Sequence, residues 1–220
     1  MTYTAFITKY LLQKEYGCPI FTEEIAEALT RQYGLEPKKA SAATSVALKR
    51  IIDGNKTPDL RCYQKGIYYR AETTPFGETG ISRDRLVAAR YLRQDNGYET
   101  GLGYMHRLGL TSQMPVEQVI ATNSAQNAVR HDTKLNVSVR PPKTTINSGN
   151  KRYLQMLDVL EMLDKAPVDA TDPYAILAEH ICRYGLQYDI LLYYADKYYN
   201  KRTVIQLAHI AGRRKLDETA

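Results

Sequence analysis

The segment 37–53 constrains the fold most, because its side chains divide into two faces of opposite character. Proline at position 37 suits the first turn of a helix. The residues that follow recur at three- and four-residue intervals, and the small or apolar set is Ala40, Ala43, Ala47 and Ile51. A second set with the same spacing is polar or cationic, and consists of Lys38, Ser41, Ser45 and Lys49. The spacing predicts a helix that packs one face and exposes a cationic one.

Two further helices are predicted before this segment and a hairpin after it. Apolar residues at helical spacing fill the first dozen positions, and a second helix is expected from an N-cap at Thr22 to a stop at Gly34. Two β-prone pieces, 60–63 and 67–70, are joined by a short turn that ends in Gly66. Helix, helix, short turn, helix and hairpin is the order of a winged helix-turn-helix, with the third helix in the recognition position.

The rest of the chain predicts a separate domain. Residues 71–80 are rich in Thr, Pro and Gly without an apolar period, so we place the domain boundary there. Strands are expected at 116–122 and 135–140, and helices from 151 onward. The predicted fold class is α+β: a winged helix-turn-helix domain over 1–72, then a mixed α/β domain over 80–220 that ends in a helical region.

Positive charge is concentrated in the second half of the first domain. Residues 36–70 carry eight basic and three acidic side chains, whereas residues 1–35 carry three basic and four acidic ones. A cationic recognition helix and wing would neutralise phosphates, while short hydroxyl side chains approach base edges or phosphates. The predicted DNA-binding residues are Lys38, Ser41, Thr44, Ser45, Lys49, Arg50, Arg61, Lys65 and Arg70.

A second cationic stretch lies in the C-terminal domain. Residues 124–152 contain six basic side chains against one acidic side chain, Asp132. Two interpretations stay open: an ordinary solvated surface, or a surface that faces an anionic target such as DNA or another nucleic acid. The basic residues of this possible second surface are Arg130, Lys134, Arg140, Lys143, Lys151 and Arg152.

Motifs of metal and nucleotide enzymes are not found in the sequence. The four histidines fall in separate segments, the three cysteines form no C-x-x-C pair, and there is neither a phosphate-binding loop motif nor a D-x-D pair. We therefore expect a binding protein and not an enzyme, with no cofactor and no metal. Unpaired cysteines, no export signal and no long apolar run predict a cytoplasmic protein without a membrane partner.

Two segments carry motifs that can be compared with those of a known family. The first is the wing sequence from Lys65 to Arg70, with its basic-Gly-apolar-Tyr order. The second begins with Gly97, Tyr98 and Gly101 and continues through 108–115, which reads L-G-L-T-S-Q-M-P, into the strand that ends at 122. Together they resemble the AbiEi-type antitoxins of bacterial type IV toxin–antitoxin systems. The resemblance covers roughly residues 1–145, although the residues before Leu108 differ from the family's plain Ala/Leu run.

This resemblance implies a DNA-binding autorepressor of a toxin–antitoxin operon that counteracts a nucleotidyltransferase-like toxin. The implied partners are double-stranded DNA from its own promoter and, functionally, the toxin, without a stable complex. An effector-responsive transcription regulator whose C-terminal domain binds a small ligand is the alternative. A neighbouring nucleotidyltransferase gene would favour the antitoxin, and a metabolic operon would favour the effector-responsive regulator.

Overall fold

A computed structural model describes residues 2–217, apart from the side chains of Gln94 and residues 213–217. The chain combines helices with small sheets, which confirms the predicted α+β class. It divides into two compact units, Met1–Ala89 and Arg90–Ala220.

Three helices form the core of the first unit. They are α1 (Tyr3–Leu12), α2 (Thr22–Tyr33) and α3 (Pro37–Asp53). Their buried side chains meet in one cluster, in which Ile7 and Leu11 of α1 and Ile25 of α2 are fully inaccessible to solvent. The bounds predicted for α3 are confirmed. Thr22, in contrast, is the first helical residue of α2 and not its N-cap, which is Phe21.

A small antiparallel sheet lies beside these helices. Strands β2 (Leu60–Gln64) and β3 (Ile67–Arg70) form the predicted hairpin, and β1 (Ile20–Phe21) pairs with the other edge of β3. The backbone N–H of Thr22 donates to the Gly66 carbonyl at 3.0 Å. The hairpin turn is therefore fastened directly to the start of α2.

The first unit continues beyond the predicted boundary at 71–80. That segment forms a two-strand ribbon, β4 (Thr73–Thr74) and β5 (Gly77–Glu78), which leads to α4 (Arg83–Val87). Arg61 of β2 forms an ion pair with Glu78, and the N–H of Ser82 donates to the Gly17 carbonyl at 2.9 Å. These contacts hold residues 71–82 on the first unit, although their sequence is typical of a linker.

The second unit contains a four-stranded mixed sheet and a set of helices. A π-helical turn (Ala88–Leu92) and a 3₁₀ turn (Arg93–Asp95) precede the sheet, whose strand order is β6-β7-β9-β8, with β7 and β9 parallel and the other pairs antiparallel. The strands are β6 (Gly97–Thr100), β7 (Gln118–Thr122), β8 (Arg130–Asp132) and β9 (Val137–Arg140). The helices are α5 (Gly101–Arg107), α6 (Lys151–Met162), α7 (Pro173–Arg183), α8 (Tyr188–Tyr198) and α9 (Lys201–Asp217).

Helix α6 lies at the centre of this unit. Leu154, Leu157 and Leu160, at the three-residue spacing visible in the sequence, are at most 1% exposed. They pack against α5, α7, α8 and α9 or against the sheet. Burying one leucine of this kind stabilises a fold by about 2 kcal/mol, so the stripe anchors the helical region.

Glycines in the 97–109 run have structural roles. A Cβ at Gly97 would lie 2.9 Å from the Ala121 carbonyl oxygen and still closer to that of Tyr91, so only glycine allows this approach of the backbones. Gly109 has φ +77°, in the left-handed region, and its N–H donates to the His106 carbonyl at 3.0 Å.

Replacing Gly109 by Ala is expected to lower the free energy of unfolding by about 1 kcal/mol, because a Cβ is disfavoured at positive φ. Gly212 provides the control, since it lies inside α9 without a positive φ or a crowding neighbour. Gly212→Ala should leave stability unchanged or raise it by up to about 1 kcal/mol. Urea denaturation of both variants measures the difference, and equal shifts would contradict the role given to Gly109.

Candidate nucleic-acid interface

The two faces predicted for α3 are separated as expected. Ala40, Ala47 and Ile51 are buried, and Ala43 is half-buried. Lys38, Ser41, Ser45 and Lys49 are all exposed, so the predicted division of the helix is confirmed. We call these four residues the α3 cationic face.

The hydroxyl groups of this face are not equally available. Ser45 Oγ donates to the backbone carbonyl of Ser41, one turn earlier, at 3.1 Å. This local bond occupies the Ser45 proton and leaves its oxygen as an acceptor.

Lys39, which follows Lys38, forms an exposed ion pair with Glu36 at 3.3 Å. An exposed pair of this kind is weak and competes little with a phosphate.

The hairpin turn adds another cation. Lys65 is exposed at the tip between β2 and β3, and the hydrogen bond from Thr22 to Gly66 fixes this tip beside α2. Arg50 is exposed in the last turn of α3. Of the nine residues predicted to bind DNA, the six in exposed positions are Lys38, Ser41, Ser45, Lys49, Arg50 and Lys65.

Thr44 differs from the prediction. It is 1% exposed, because it lies on the face of α3 that packs into the core, between Ala40 and Leu48. Its hydroxyl has no hydrogen-bond partner among the described residues. A side chain in this position cannot reach a base edge, and we remove Thr44 from the candidate interface.

The two hairpin arginines also differ from the prediction, because both guanidinium groups hold the first unit together. Arg70 Nε donates to Asp59 at 2.7 Å, and its Nη1 donates to the carbonyls of Leu12 and Lys14, each at 3.0 Å. Arg61 Nε donates to Glu78 at 2.9 Å, and this contact raises the pKa of Arg61. Each arginine lies on a strand of the hairpin. Its acidic partner is 11 residues away in the sequence for Arg70 and 17 residues away for Arg61.

Three tyrosines of the hairpin are half-buried. Tyr68 packs against the helical core of the first unit, and its neighbour across the strands is Cys62. Burial raises the pKa of the Tyr68 hydroxyl. Its ring therefore fixes the hairpin on the helices, and Tyr63 and Tyr69 are the other two members of the set.

Sequence reasoning missed an apolar strip on the exposed side of α3. Val46 is 51% exposed, and Ala42, one turn earlier, is also exposed. Lys38, Ala42 and Val46 follow one another at four-residue intervals, which places them on one side of a helix. This spacing was the signal in the sequence that could have revealed the strip. The strip lies among the cations of the α3 cationic face.

An acidic edge limits the cationic surface on one side. A surface groove of about 560 Å³ runs between α2 and α3, and its lining includes two carboxylates, Glu23 and Glu27, and one cation, Arg31. Carboxylates at this edge disfavour an approaching phosphate chain. The α3 cationic face is therefore bordered by carboxylates on the side of α2.

Most of the second basic stretch is compensated by partners that lie outside it in sequence. Lys143 Nζ lies 2.9 Å from Glu161, and Lys151 Nζ lies 3.2 Å from Asp95. Arg152 stacks over the Tyr184 ring, 4.6 Å from its centroid. Arg130 donates to Gln126 at 2.9 Å, and Lys134 is exposed. The local charge excess therefore overstates the free positive charge of this surface.

Arg140 is half-buried and belongs to a network around a buried carboxylate. It forms an ion pair with Asp158, whose side chain is fully buried on α6. The hydroxyls of Tyr98 and Tyr199 also donate to this carboxylate, at 3.0 and 2.8 Å. Burial raises the pKa of Asp158, and the Arg140 guanidinium opposes that rise. The network joins β6, β9, α6 and the end of α8.

Neither a protein-family model nor a curated protein matches this chain. Among the described residues, no three His, Cys, Asp or Glu side chains are grouped as metal ligands. None of the helices in residues 2–217 has the length and apolarity needed to cross a bilayer.

Replacing Arg140 by Met is expected to lower the free energy of unfolding by about 3 kcal/mol, because Asp158 would keep a buried charge without its cation. Lys151→Met is the control, since its pair with Asp95 is partly exposed and contributes under about 1 kcal/mol. Adding Asp158→Asn to Arg140→Met should recover part of the loss. Chemical denaturation checks all three variants, and equal effects of the Arg140 and Lys151 changes would contradict a buried charge network.

Proposed function

We propose that the first unit is a winged helix-turn-helix domain that binds duplex DNA. In this proposal α3 is the recognition helix, the β2–β3 hairpin is the wing, and α2 is the supporting helix. The observation that carries it is the α3 cationic face, which is exposed along the helix while the opposite face packs against α1 and α2.

An exposed helix with a cationic face suits the major groove. The groove is about 12 Å wide and admits one α-helix, whose exposed side chains then reach base edges. Lys38 and Lys49 stand at opposite ends of the cationic face and would contact phosphates on either side of the groove. Lys65, at the wing tip, would contact the backbone or an adjacent minor groove.

We further propose that the chain represses its own operon and acts as an antitoxin against a nucleotidyltransferase-like toxin. The support for this step is the resemblance of the 65–70 and 97–122 segments to AbiEi-type antitoxins. The DNA-binding proposal is independent of the resemblance, because it depends on the charge and exposure of α3 alone.

Reversing both lysines, in a Lys38→Glu/Lys49→Glu variant, should weaken binding to the duplex upstream of the gene. Each lost phosphate contact removes about 0.9 from the slope of log affinity against log salt, so that slope should shrink by about 2. Fluorescence anisotropy across a salt series measures both effects.

The matched control is Lys165→Glu/Lys201→Glu, which makes the same charge change at exposed positions of the second unit. It should change affinity much less than the Lys38/Lys49 reversal. Binding that is insensitive to the Lys38/Lys49 reversal, or equally sensitive to the control, would remove α3 as the DNA-binding element.

The antitoxin proposal predicts that repression and neutralisation can be separated. The Lys38→Glu/Lys49→Glu chain should lose repression of a promoter–reporter fusion but still restore growth when the product of the adjacent gene arrests it, provided that neutralisation resides outside α3. The unchanged chain is the positive control in both assays. If the unchanged chain gives no growth rescue, the antitoxin role fails, while the DNA-binding proposal is judged by the anisotropy measurements.

A further inference from the structure

The exposed side of α3 is apolar at its centre. Val46 is 51% exposed although it is a β-branched aliphatic residue in the middle of a 17-residue helix. Ala42, one turn earlier, is exposed as well. Neither residue belongs to the core of the first unit, which is formed by the opposite face of the helix. Packing within the unit therefore does not account for an aliphatic side chain at position 46.

The apolar pair is surrounded by the residues that would hold DNA. An α-helix turns by about 100° per residue, so Ala42, Val46 and Lys49 are neighbours on the surface directed away from the core. Ser45 lies next to Val46, and its proton is occupied by the Ser41 carbonyl at 3.1 Å. The part of α3 that faces outward most directly thus offers methyl groups, flanked by lysines.

We infer that Val46 and Ala42 read the C5-methyl groups of thymine in the major groove, so that the recognition sequence contains A·T pairs opposite the centre of α3. The thymine methyl is the apolar group that the major groove presents, and small aliphatic side chains are its complement. The flanking Lys38 and Lys49 supply the charge complementarity that selects a nucleic acid over an apolar partner. This inference rests on the proposed DNA-binding function and adds to it the chemical group that is read.

The exposed position of Val46 has an alternative explanation, which is a contact between copies of the chain. Val46 and Ala42 both line a groove of about 710 Å³ between α1 and α3, together with Tyr3, Tyr33 and Arg50. If a second copy of the chain occupied this groove, Val46 would be a contact between copies. The experiment must distinguish such a contact from a contact with DNA.

Removing the methyl groups from the DNA tests the inference without knowledge of the operator. The duplex upstream of the gene is amplified once with dTTP and once with dUTP, which deletes each thymine methyl in the amplified strands and preserves base pairing. Wild-type protein should bind the uracil duplex at least about fourfold more weakly, the loss expected for one buried methyl at about 0.8 kcal/mol. The salt slope should be the same for both duplexes, because the phosphates are unchanged.

The protein variant Val46→Ala completes the test. It should bind the thymine duplex more weakly than wild type and show a smaller thymine-to-uracil affinity ratio, since one of the two contacting side chains has been truncated. Ile205→Ala, which truncates an aliphatic side chain that is 57% exposed on α9, is the control and should keep the wild-type ratio. Thermal melting verifies that both variants are folded.

Three results would overturn the inference. Equal wild-type affinity for the two duplexes would leave DNA binding intact and show that methyl groups are not read. An unchanged ratio in Val46→Ala would assign the discrimination to other residues, and a reduced molar mass of that variant in light scattering would then place Val46 between copies. Failure of wild-type protein to bind either duplex would remove the proposed function itself, and the inference with it.

Discussion

The first unit depends on the burial of one face of α3. Ala40, Ala47 and Ile51 are small or aliphatic enough to bring this helix against α1 and α2, and burying them fixes its rotation about its own axis. Once the rotation is fixed, the positions of the opposite side chains follow without further choice. The opposite face is cationic because Lys38 and Lys49 occupy positions that point away from the core. The same constraint buries Thr44, whose hydroxyl is left without a hydrogen-bond partner among the described residues.

The positive charges of this unit fall into two groups, which are arginines in structural ion pairs and lysines exposed to solvent. Arg70 and Arg61 hold the hairpin and the ribbon that follows it through Asp59 and Glu78, and the Arg70 side chain is largely shielded from solvent. The lysines at positions 38, 49 and 65 are exposed instead. Arginine suits a structural ion pair because its planar group donates several hydrogen bonds in fixed directions, as Arg70 does to a carboxylate and two carbonyls. The net charge of the unit does not show which cations are paired and which are exposed. The position of the nearest carboxylate decides it.

The second unit is organised around a different constraint, the buried carboxylate of Asp158. Two tyrosine hydroxyls and the Arg140 guanidinium converge on it, and the hydroxyl oxygen of Tyr199 also lies 3.1 Å from the Leu154 carbonyl oxygen. Burying a carboxylate is costly unless its oxygens are satisfied, so each donor must keep its place. The network therefore fixes how the sheet and helices of this unit are joined. It also explains why a stretch that is strongly basic in sequence presents less free charge than its composition indicates.

The sequence by itself determined the features that depend on neighbours along the chain. The bounds of α3, its two faces and the β2–β3 hairpin follow from periodicity and turn residues within about 20 positions. Tertiary structure decided the features that depend on distant partners. The short strand β1 exists because β3 lies beside it, with Ile20 opposite Tyr68, 48 residues later in the chain. The ribbon after β3 is retained by Arg61. Whether Arg140 is a free or a paired cation depends on Asp158, which only the folded chain places against it. The physical reason is that a helical period is a local property, whereas a charge is compensated by whichever opposite charge the fold brings within a few ångströms.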